Sequence, residues 1–161
     1  MNPTERLHHL FIRHLRILYN GEVKLQETFS NLYALAPSAE LEEFLGMHLR
    51  AKNEIVQLLS QCFHELNLSP AGESDAIVAS YINSNIGRKD FAETCIHLFD
   101  ETLGDYLVNA YRTAISCADD LDLPAVTAVL LEALRITKFY RNDLVPLRRL
   151  LVAAKVMPHA A

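Results

Sequence analysis

Seven residues near the N-terminus recur at alternating spacings of four and three, the pattern of a helix that presents one side to the core of a bundle. They are Phe11, Leu15, Leu18, Glu22, Leu25, Phe29 and Leu32. Six are apolar, and Glu22 places a carboxylate in the same row. A charge in a core must be neutralised, paired with a cation or bound to a metal, because leaving it bare is costly. The function predicted for the chain depends on which group compensates Glu22.

The first helix can begin at Thr4 and ends near Leu35, because Pro37 follows closely. Ser38 is a good N-cap for a second long helix. The core positions of this second helix again alternate at spacings of four and three, and they include a histidine and a lysine. These positions are Leu41, Leu45, His48, Lys52, Ile55, Leu59, Cys62 and Leu66.

Two more long helices and one short helix are predicted downstream. Residues 90–93 resemble a capping box that opens the third long helix, and residues 74–86 form a short helix before it. Pro124 suits the first turn of the fourth long helix, which Pro146 ends or kinks. The core face of the third helix is predicted as Ile96, Phe99, Leu103, Tyr106, Ala110, Thr113 and Cys117. That of the fourth is Val126, Leu130, Ala133, Leu134, Thr137, Tyr140 and Leu144.

The predicted fold is all-α: an up-down-up-down four-helix bundle with a short extra helix between helices 2 and 3. Residues 1–161 are predicted to form one domain, since a chain of this length can bury about two thirds of its unfolded surface. Half of the residues are hydrophobic, which indicates a globular chain.

Charge and composition narrow the classes of partner. The net charge of −5 argues against nucleic acid or an anionic membrane surface as the main partner. No apolar run approaches the ~20 residues that span a bilayer, and no signal peptide is visible. The chain has three cysteines without a CxxC pair, which favours buried thiols in a reducing cytoplasm. We therefore expect a cytoplasmic protein.

A metal site would be the sharpest function for a carboxylate in a bundle core. Di-iron bundles supply one Glu from each of two helices and a Glu-x-x-His pair from each of the other two. Here the core supplies Glu22 and His48, with Asp105 as the only further candidate ligand, and no Glu-x-x-His pair occurs at the expected core positions. We expect no metal and no cofactor, with a reduced iron, manganese or zinc site as the alternative.

A protein cation is the other way to compensate Glu22. Lys52 lies one turn from His48, and Arg141 lies one turn from Thr137. Either cation could pair with the carboxylate. The predicted core polar network therefore consists of Glu22, His48, Lys52, Thr137 and Arg141.

Three segments resemble the YciE/YciF-like family of bacterial ferritin-like proteins. Residues 15–25 (LRILYNGEVKL) are similar to its opening "LxDLYdAExqL". Residues 43–49 (EFLGMHL), with Phe63 further on, resemble "aFeeHLeeTegqveRLeqvF". Residues 110–113 (AYRT) resemble "AAYgTL", and the likeness runs from about residue 7 to residue 150.

The resemblance implies a ferritin-like bundle, a homodimer, a bacterial cytoplasmic origin and a role in stress responses. It also implies a di-metal centre, from which this sequence departs. Glu22 and His48 match the family positions, but Ala51 and Lys52 replace the acid and threonine that follow the histidine. The third-helix glutamates are absent from residues 103–107, and basic or neutral residues replace most of the acidic run at 135–144, where Asp143 is the one acid left.

The predicted function is accordingly a non-catalytic bundle protein with a degenerate di-metal site, in which a buried ion pair replaces the metal. The protein partner is not indicated beyond a second copy of the chain. A ferritin-like metalloprotein is one alternative. A carrier of a small hydrophobic ligand is another, and it would show as a closed apolar cavity near Gly104.

Overall fold

The computed structural model describes residues 1–82 and 91–157, and these form seven α-helices without any strand. The helices are α1 (Pro3–Leu35), α2 (Ala39–Glu65), α3 (Ala76–Tyr81), α4 (Phe91–Leu98), α5 (Glu101–Asp120), α6 (Pro124–Tyr140) and α7 (Leu144–Ala153). The predicted all-α bundle with a short helix between its second and third long helices is confirmed. Within the described ranges, no helix is long and apolar enough to cross a membrane.

The ends of α1 and α2 follow from local hydrogen bonds. Asn2 caps α1 by accepting a bond from the backbone N–H of Glu5, and the Glu5 side chain accepts one from the N–H of Asn2. This capping box starts α1 at Pro3, one residue before the predicted start. Ser38 caps α2 as predicted, accepting from the N–H of Leu41 at 3.2 Å. All seven residues of the α1 core row are buried.

The helices α1, α2, α5 and α6 form the bundle. Its neighbouring pairs are α1 with α2, α5 with α6, α2 with α6, and α1 with α5. The ring of Phe99, just before α5, lies 5.7 Å from Phe29 and 5.5 Å from Phe44, so α5 starts where α1 ends and α2 begins. Tyr140, at the end of α6, lies 5.0 Å from His48 at the same end of the bundle.

Spatial neighbours are therefore antiparallel, as predicted, but the directions along the chain are up, down, down and up. The chain between α2 and α4 returns along the bundle. Its early part follows α1, because the backbone N–H of Glu73 donates to the carbonyl of Arg16 at 3.2 Å. Val78 of α3 already packs in the cluster that contains Leu25 and Phe29, so the chain has reached that end of the bundle by α3.

The first helix also carries a glycine where another helix approaches. A Cβ on Gly21 would lie 3.0 Å from Oδ2 of Asp75 and 3.1 Å from Cγ2 of Val78. Asp75 is buried, caps α3 and accepts a hydrogen bond from the Tyr106 hydroxyl at 2.9 Å. Because Gly21 has no side chain, the start of α3 can pack directly against α1 at this position.

The third predicted helix is two helices. The chain leaves helical geometry at Asp100, whose side chain caps α5 by accepting from the N–H of Thr102 at 2.7 Å. The break changes which side of α5 faces the core. Leu107, Tyr111 and Ala114 are buried, whereas the predicted Thr113 is exposed. Asp90 of the predicted capping box, residues 83–86 of the predicted short helix and Gly87 lie outside the described residues.

The fourth predicted helix is also divided, at residues 141–143. A continuous helix would press the Pro146 ring against the carbonyl of Asn142, so the helix ends earlier and Pro146 enters the first turn of α7. Asp143 precedes α7, but its side chain makes no cap hydrogen bond. The Asp143 carboxylate can therefore accept a hydrogen bond from a residue outside α7.

The apolar core consists of two clusters. One contains Phe11, Leu15 and Leu18 together with the second half of α2, most of α5 and α6. The other contains Leu25, Phe29 and the start of α2 together with residues of α3, α4 and α7. Between them, where α1, α2 and α6 pass from one cluster toward the other, lie the buried polar residues Glu22, His48 and Thr137 and the half-buried Lys52. We call these four residues the polar layer.

Candidate functional site

Glu22 and Lys52 form an ion pair between α1 and α2. Nζ of Lys52 donates to Oε1 at 3.1 Å and to Oε2 at 3.2 Å, so one ammonium serves both carboxylate oxygens. The Glu22 side chain is completely buried, and 14% of the Lys52 side chain is exposed. The alternating spacings of four and three place Glu22 and Lys52 at mid-height on the facing sides of α1 and α2, which is why they meet. The partner of Glu22 is therefore a protein cation.

His48 bonds to a residue that the sequence did not single out. Its Nε2 lies 2.9 Å from Oδ2 of Asp143, in the break between α6 and α7. Phe29, Phe44, Phe99 and Tyr140 surround the imidazole, with ring centroids between 4.6 and 5.8 Å away.

Burial among these rings lowers the pKa of His48 to about 4, although the nearby Asp143 carboxylate opposes the shift. The imidazole is consequently neutral near pH 7, and its Nε2–H donates to Asp143. The sequence pattern predicts one continuous helix through residue 143. It therefore does not indicate Asp143 as the partner of His48, because the break between α6 and α7 is what places Asp143 beside α2.

The other predicted network residues make separate contacts. The Thr137 hydroxyl donates to the carbonyl of Ala133 at 2.8 Å, within its own helix. Arg141 lies 3.5 Å from Asp105, and these side chains are 35% and 67% exposed. The structure thus brings Glu22 and Lys52 together and places His48 and Thr137 in the same layer. Arg141 points instead to a surface carboxylate.

Tyr111 is a buried polar residue near Glu22 that the sequence prediction missed. Its side chain is completely buried, and its hydroxyl has no hydrogen-bond partner in the part of the chain that the structure describes. Burial, and next the negative charge of Glu22, raise the pKa of Tyr111 well above its usual value. The prediction missed it because the core face of helix 3 was drawn through Ala110 and Thr113, without the break at Asp100.

The donor set does not fit a di-metal centre. Both oxygens of Glu22 accept from an ammonium, Nε2 of His48 bonds to Asp143, and Asp105 lies at the surface with Arg141. Across residues 1–82 and 91–157, no group of three His, Cys, Asp or Glu side chains is placed to hold a metal ion. The three candidate ligands Glu22, His48 and Asp105 are therefore not assembled into one site.

A cavity of about 60 Å³ lies beside the polar layer. Apolar side chains from all four bundle helices form most of its wall, and Gly104 is part of it, close to where the sequence predicted a cavity. Unlike the predicted closed cavity, it is not completely enclosed. Its polar wall residues are His48, Lys52, Asp100, Thr137, Tyr140 and Arg141.

Comparison with known families identifies one match over almost the whole chain. The family described as "Domain of unknown function (DUF892)" matches residues 6–155. A comparison with curated protein sequences found no significant match.

Two solved structures are similar in fold. YcfI from Rhodopseudomonas palustris, described as "a putative structural protein", has a TM-score of 0.71 at 18% identity, covering 86% of this chain and 92% of its own. The E. coli stress protein YciF has a TM-score of 0.67 at 17% identity, covering 92% of this chain and 96% of its own. At this identity the likeness shows a shared fold, and the YciF-like resemblance predicted from the sequence motifs is confirmed.

Proposed function

The chain belongs to the DUF892 family, and from that premise we propose that it is a non-catalytic, ferritin-like bundle protein that binds no metal and acts in a stress-related structural role. The observation that carries this proposal is the Glu22–Lys52 ion pair. The descriptions of the two similar structures, one a stress protein and one a structural protein, support the same class of role.

The ion pair argues against metal binding on energetic grounds. A divalent ion at Glu22 would have to displace the Lys52 ammonium, which would remain in the same poorly solvated layer. Two or more carboxylates are normally needed to offset such an ion, and Glu22 is the only carboxylate in the polar layer. The lysine therefore supplies the positive charge that a metal supplies in di-metal bundles.

Metal analysis of the untagged protein tests the proposal. The chain is purified without a histidine tag, incubated with Fe²⁺ or Mn²⁺, desalted and analysed for metal per chain. We expect far less than one metal per chain, with no difference between the wild type and Glu22→Ala. Glu54→Ala, on the exposed side of α2, is the matched control.

Near-stoichiometric metal that is retained in Glu54→Ala but lost in Glu22→Ala would overturn the proposal. It would establish the alternative, a metalloprotein with a reduced site. Retention of metal in both variants would point to ligands outside the polar layer and would equally contradict a metal-free protein.

We also propose that the protein is a cytoplasmic homodimer. Cys62, Cys95 and Cys117 are free thiols, which suits a reducing compartment. Met47 and Phe139 are among the residues that line a groove between α2 and α6. The exposed fractions of these two residues are 38% and 72%. Methionine, aromatic residues and arginine, all present in this groove, are enriched at protein–protein interfaces.

A carrier of a small ligand is the second candidate function, and the cavity beside the polar layer favours it. This candidate is compatible with a metal-free bundle, since the cavity exists beside the ion pair rather than in its place.

A further inference from the structure

The cavity beside the polar layer has a size that limits its occupant. One water needs roughly 10–15 Å³ of cavity volume measured in this way. The cavity of about 60 Å³ therefore holds about four to six waters, or an organic molecule with about four to six heavy atoms. Its wall is mainly apolar, with Leu25, Ile55, Leu107 and Ile136 contributed by different helices. Water alone would leave much of this wall without favourable contacts.

One hydrogen-bond donor in the wall is not fully used. The Lys52 ammonium has three N–H groups, and its described bonds are the two to the carboxylate of Glu22. Lys52 also lines the cavity, so the remaining N–H is available to a molecule inside it. The Thr137 hydroxyl already donates to Ala133. A molecule in the cavity is thus favoured if it carries an oxygen that accepts a hydrogen bond.

The surrounding charges disfavour an anion. Lys52 is paired with Glu22, and Arg141 lies near Asp105, so both cations of the wall already have carboxylate partners. Asp100 in the wall and Asp143 next to His48 add two more carboxylates. His48 contributes no compensating charge near pH 7. A carboxylate or phosphate ligand would therefore enter a site with an excess of negative charge.

We propose that this cavity binds a short neutral alcohol or carbonyl compound of about four to six heavy atoms. Its oxygen accepts a hydrogen bond from Lys52, and its carbon chain contacts the apolar wall. The inference rests on the second candidate function, the small-ligand carrier. It is independent of the metal analysis, because the cavity is tested with probes that do not bind metals.

Propan-1-ol is the probe, followed by amide NMR shifts of the full-length protein. We expect saturable shifts at Ala51 and Gly104, and no saturation with propionate, which has a similar size but carries a charge. In a series from ethanol to hexan-1-ol, affinity should rise to the three- to five-carbon alcohols and then level off or fall, because the rest of a longer chain lies outside the cavity. This series needs no variant.

Two variants separate the roles of the cavity and the ammonium. Ala51→Leu fills the cavity and should abolish the shifts, whereas Ala128→Leu, on the exposed side of α6, should not. The double variant Glu22→Gln/Lys52→Met removes the ammonium without leaving a buried charge. It should bind propan-1-ol at least about tenfold more weakly.

Three results would overturn the inference. The first is propionate binding more tightly than propan-1-ol, and the second is affinity that increases steadily through hexan-1-ol. The third is the absence of saturable shifts in the wild type. Unchanged affinity in the double variant would contradict the role of Lys52 as the donor. None of these results affects the metal-free proposal, which the metal content of the protein decides separately.

Discussion

Glu22 and Lys52 are buried closely enough that each charge depends on the other. Removing one partner leaves a charge in a poorly solvated layer, which costs about 3–5 kcal/mol for a buried pair. We expect Lys52→Met to destabilise the protein by about this amount, because Glu22 is completely buried. Glu22→Gln in the Lys52→Met background should recover much of the loss. Urea unfolding followed by circular dichroism at pH 7 measures all three variants.

The exposed pair Lys24–Glu27 provides the control for this double-mutant cycle. Its atoms are 3.6 Å apart and both side chains are more than half exposed. The coupling energy of this surface pair should be close to zero, whereas that of Glu22 and Lys52 should be about 1–3 kcal/mol. If the effects of the two core substitutions simply added, the pair would not stabilise the folded state as a unit.

The pKa of His48 predicts how stability depends on pH. Burial lowers it from the ordinary value of 6.5 to about 4 in the folded chain. Between these values the unfolded chain binds a proton that the folded chain does not, so acid favours unfolding. The contribution of His48 to the unfolding free energy is complete above pH 6.5 and is lost as the pH falls toward 4. A shift of this size corresponds to roughly 3 kcal/mol.

Unfolding free energies measured from pH 7 to pH 4 check this prediction. His48→Gln should flatten the decline over this range, even though the variant is less stable at pH 7. His64→Gln alters an exposed histidine of the same helix and should leave the slope unchanged. Identical slopes for the wild type and His48→Gln would show that another group causes the acid sensitivity.

Where two uninterrupted helices face each other, the sequence alone indicates which side chains can come into contact. Glu22 and Lys52 fall in uninterrupted rows of α1 and α2, so spacing alone indicated that they could meet. The positions of Asp143 and Tyr111 depend on breaks between helices. For Asp143 the break is at the end of α6, and for Tyr111 it is at the start of α5. A break depends on how the flanking segments pack, and the period of a helix does not reveal it.

At the level of elements, Gly21 tests whether α3 must pack against α1. Gly21→Ala would place a methyl group against Asp75, which caps α3, and against Val78 within α3. Hydrogen bonds from the Tyr106 hydroxyl and from the N–H of Val78 hold Asp75 in place. We expect a loss of about 1–3 kcal/mol in unfolding free energy, despite the better helix propensity of alanine. Thermal or urea denaturation measures this loss.

Gly46→Ala is the matched control in α2. A Cβ there would meet the ring of Tyr33 at 3.1 Å, but that side chain is partly exposed and can move. The control should be near neutral or slightly stabilising, by up to about 1 kcal/mol of helix propensity. An equal loss in both variants would indicate a general cost of side chains at these helical glycines instead of a specific contact with α3.

The helical elements themselves were largely predictable. The end of α1 and the start of α2 follow from Pro37 and Ser38, whose effects are local and therefore visible in the sequence. The division of the third helix was not predicted, since Phe99-Asp100 continues the apolar spacing and Asp100 is not a strong breaker. Pro146 did signal an interruption of the fourth helix. The break itself lies three to five residues upstream, at residues 141–143, because the proline ring would clash with the preceding carbonyls of a continuous helix.

For the whole molecule, the α2–α6 groove predicts how two copies associate. Arg50 and Glu54 lie one turn apart on α2 beside Met47 and Phe139, so a twofold arrangement can place opposite charges against each other. We expect light scattering after gel filtration to give a dimer mass for the wild type. Phe139→Ser should shift this mass toward the monomer.

Val145→Ser removes another exposed apolar side chain, from α7 and outside the groove. This control should leave the dimer intact. A wild-type monomer at micromolar concentration would refute the dimer, and a dimer unaffected by Phe139→Ser would place the interface on another surface.

The direction of α5 was the feature of the whole molecule that the sequence prediction missed. Short connections imply strict alternation along the chain, but the segment after α2 is long enough to return to the other end of the bundle. Sequence patterns define which residues are buried in each helix. They do not determine which end of a bundle a long connection reaches, because many paths bury the same apolar faces.

The division of the core into two clusters has a consequence for native-state dynamics. The cluster that contains Leu25 and Phe29 depends on three short helices, α3, α4 and α7, whereas the other is built mainly from long helices. Amide hydrogen exchange should therefore reveal a partial opening in which α4 and α7 lose protection at lower free energy than the first half of α1. Uniform protection across both clusters would contradict this. One end of the molecule can then loosen and reclose while the other stays native.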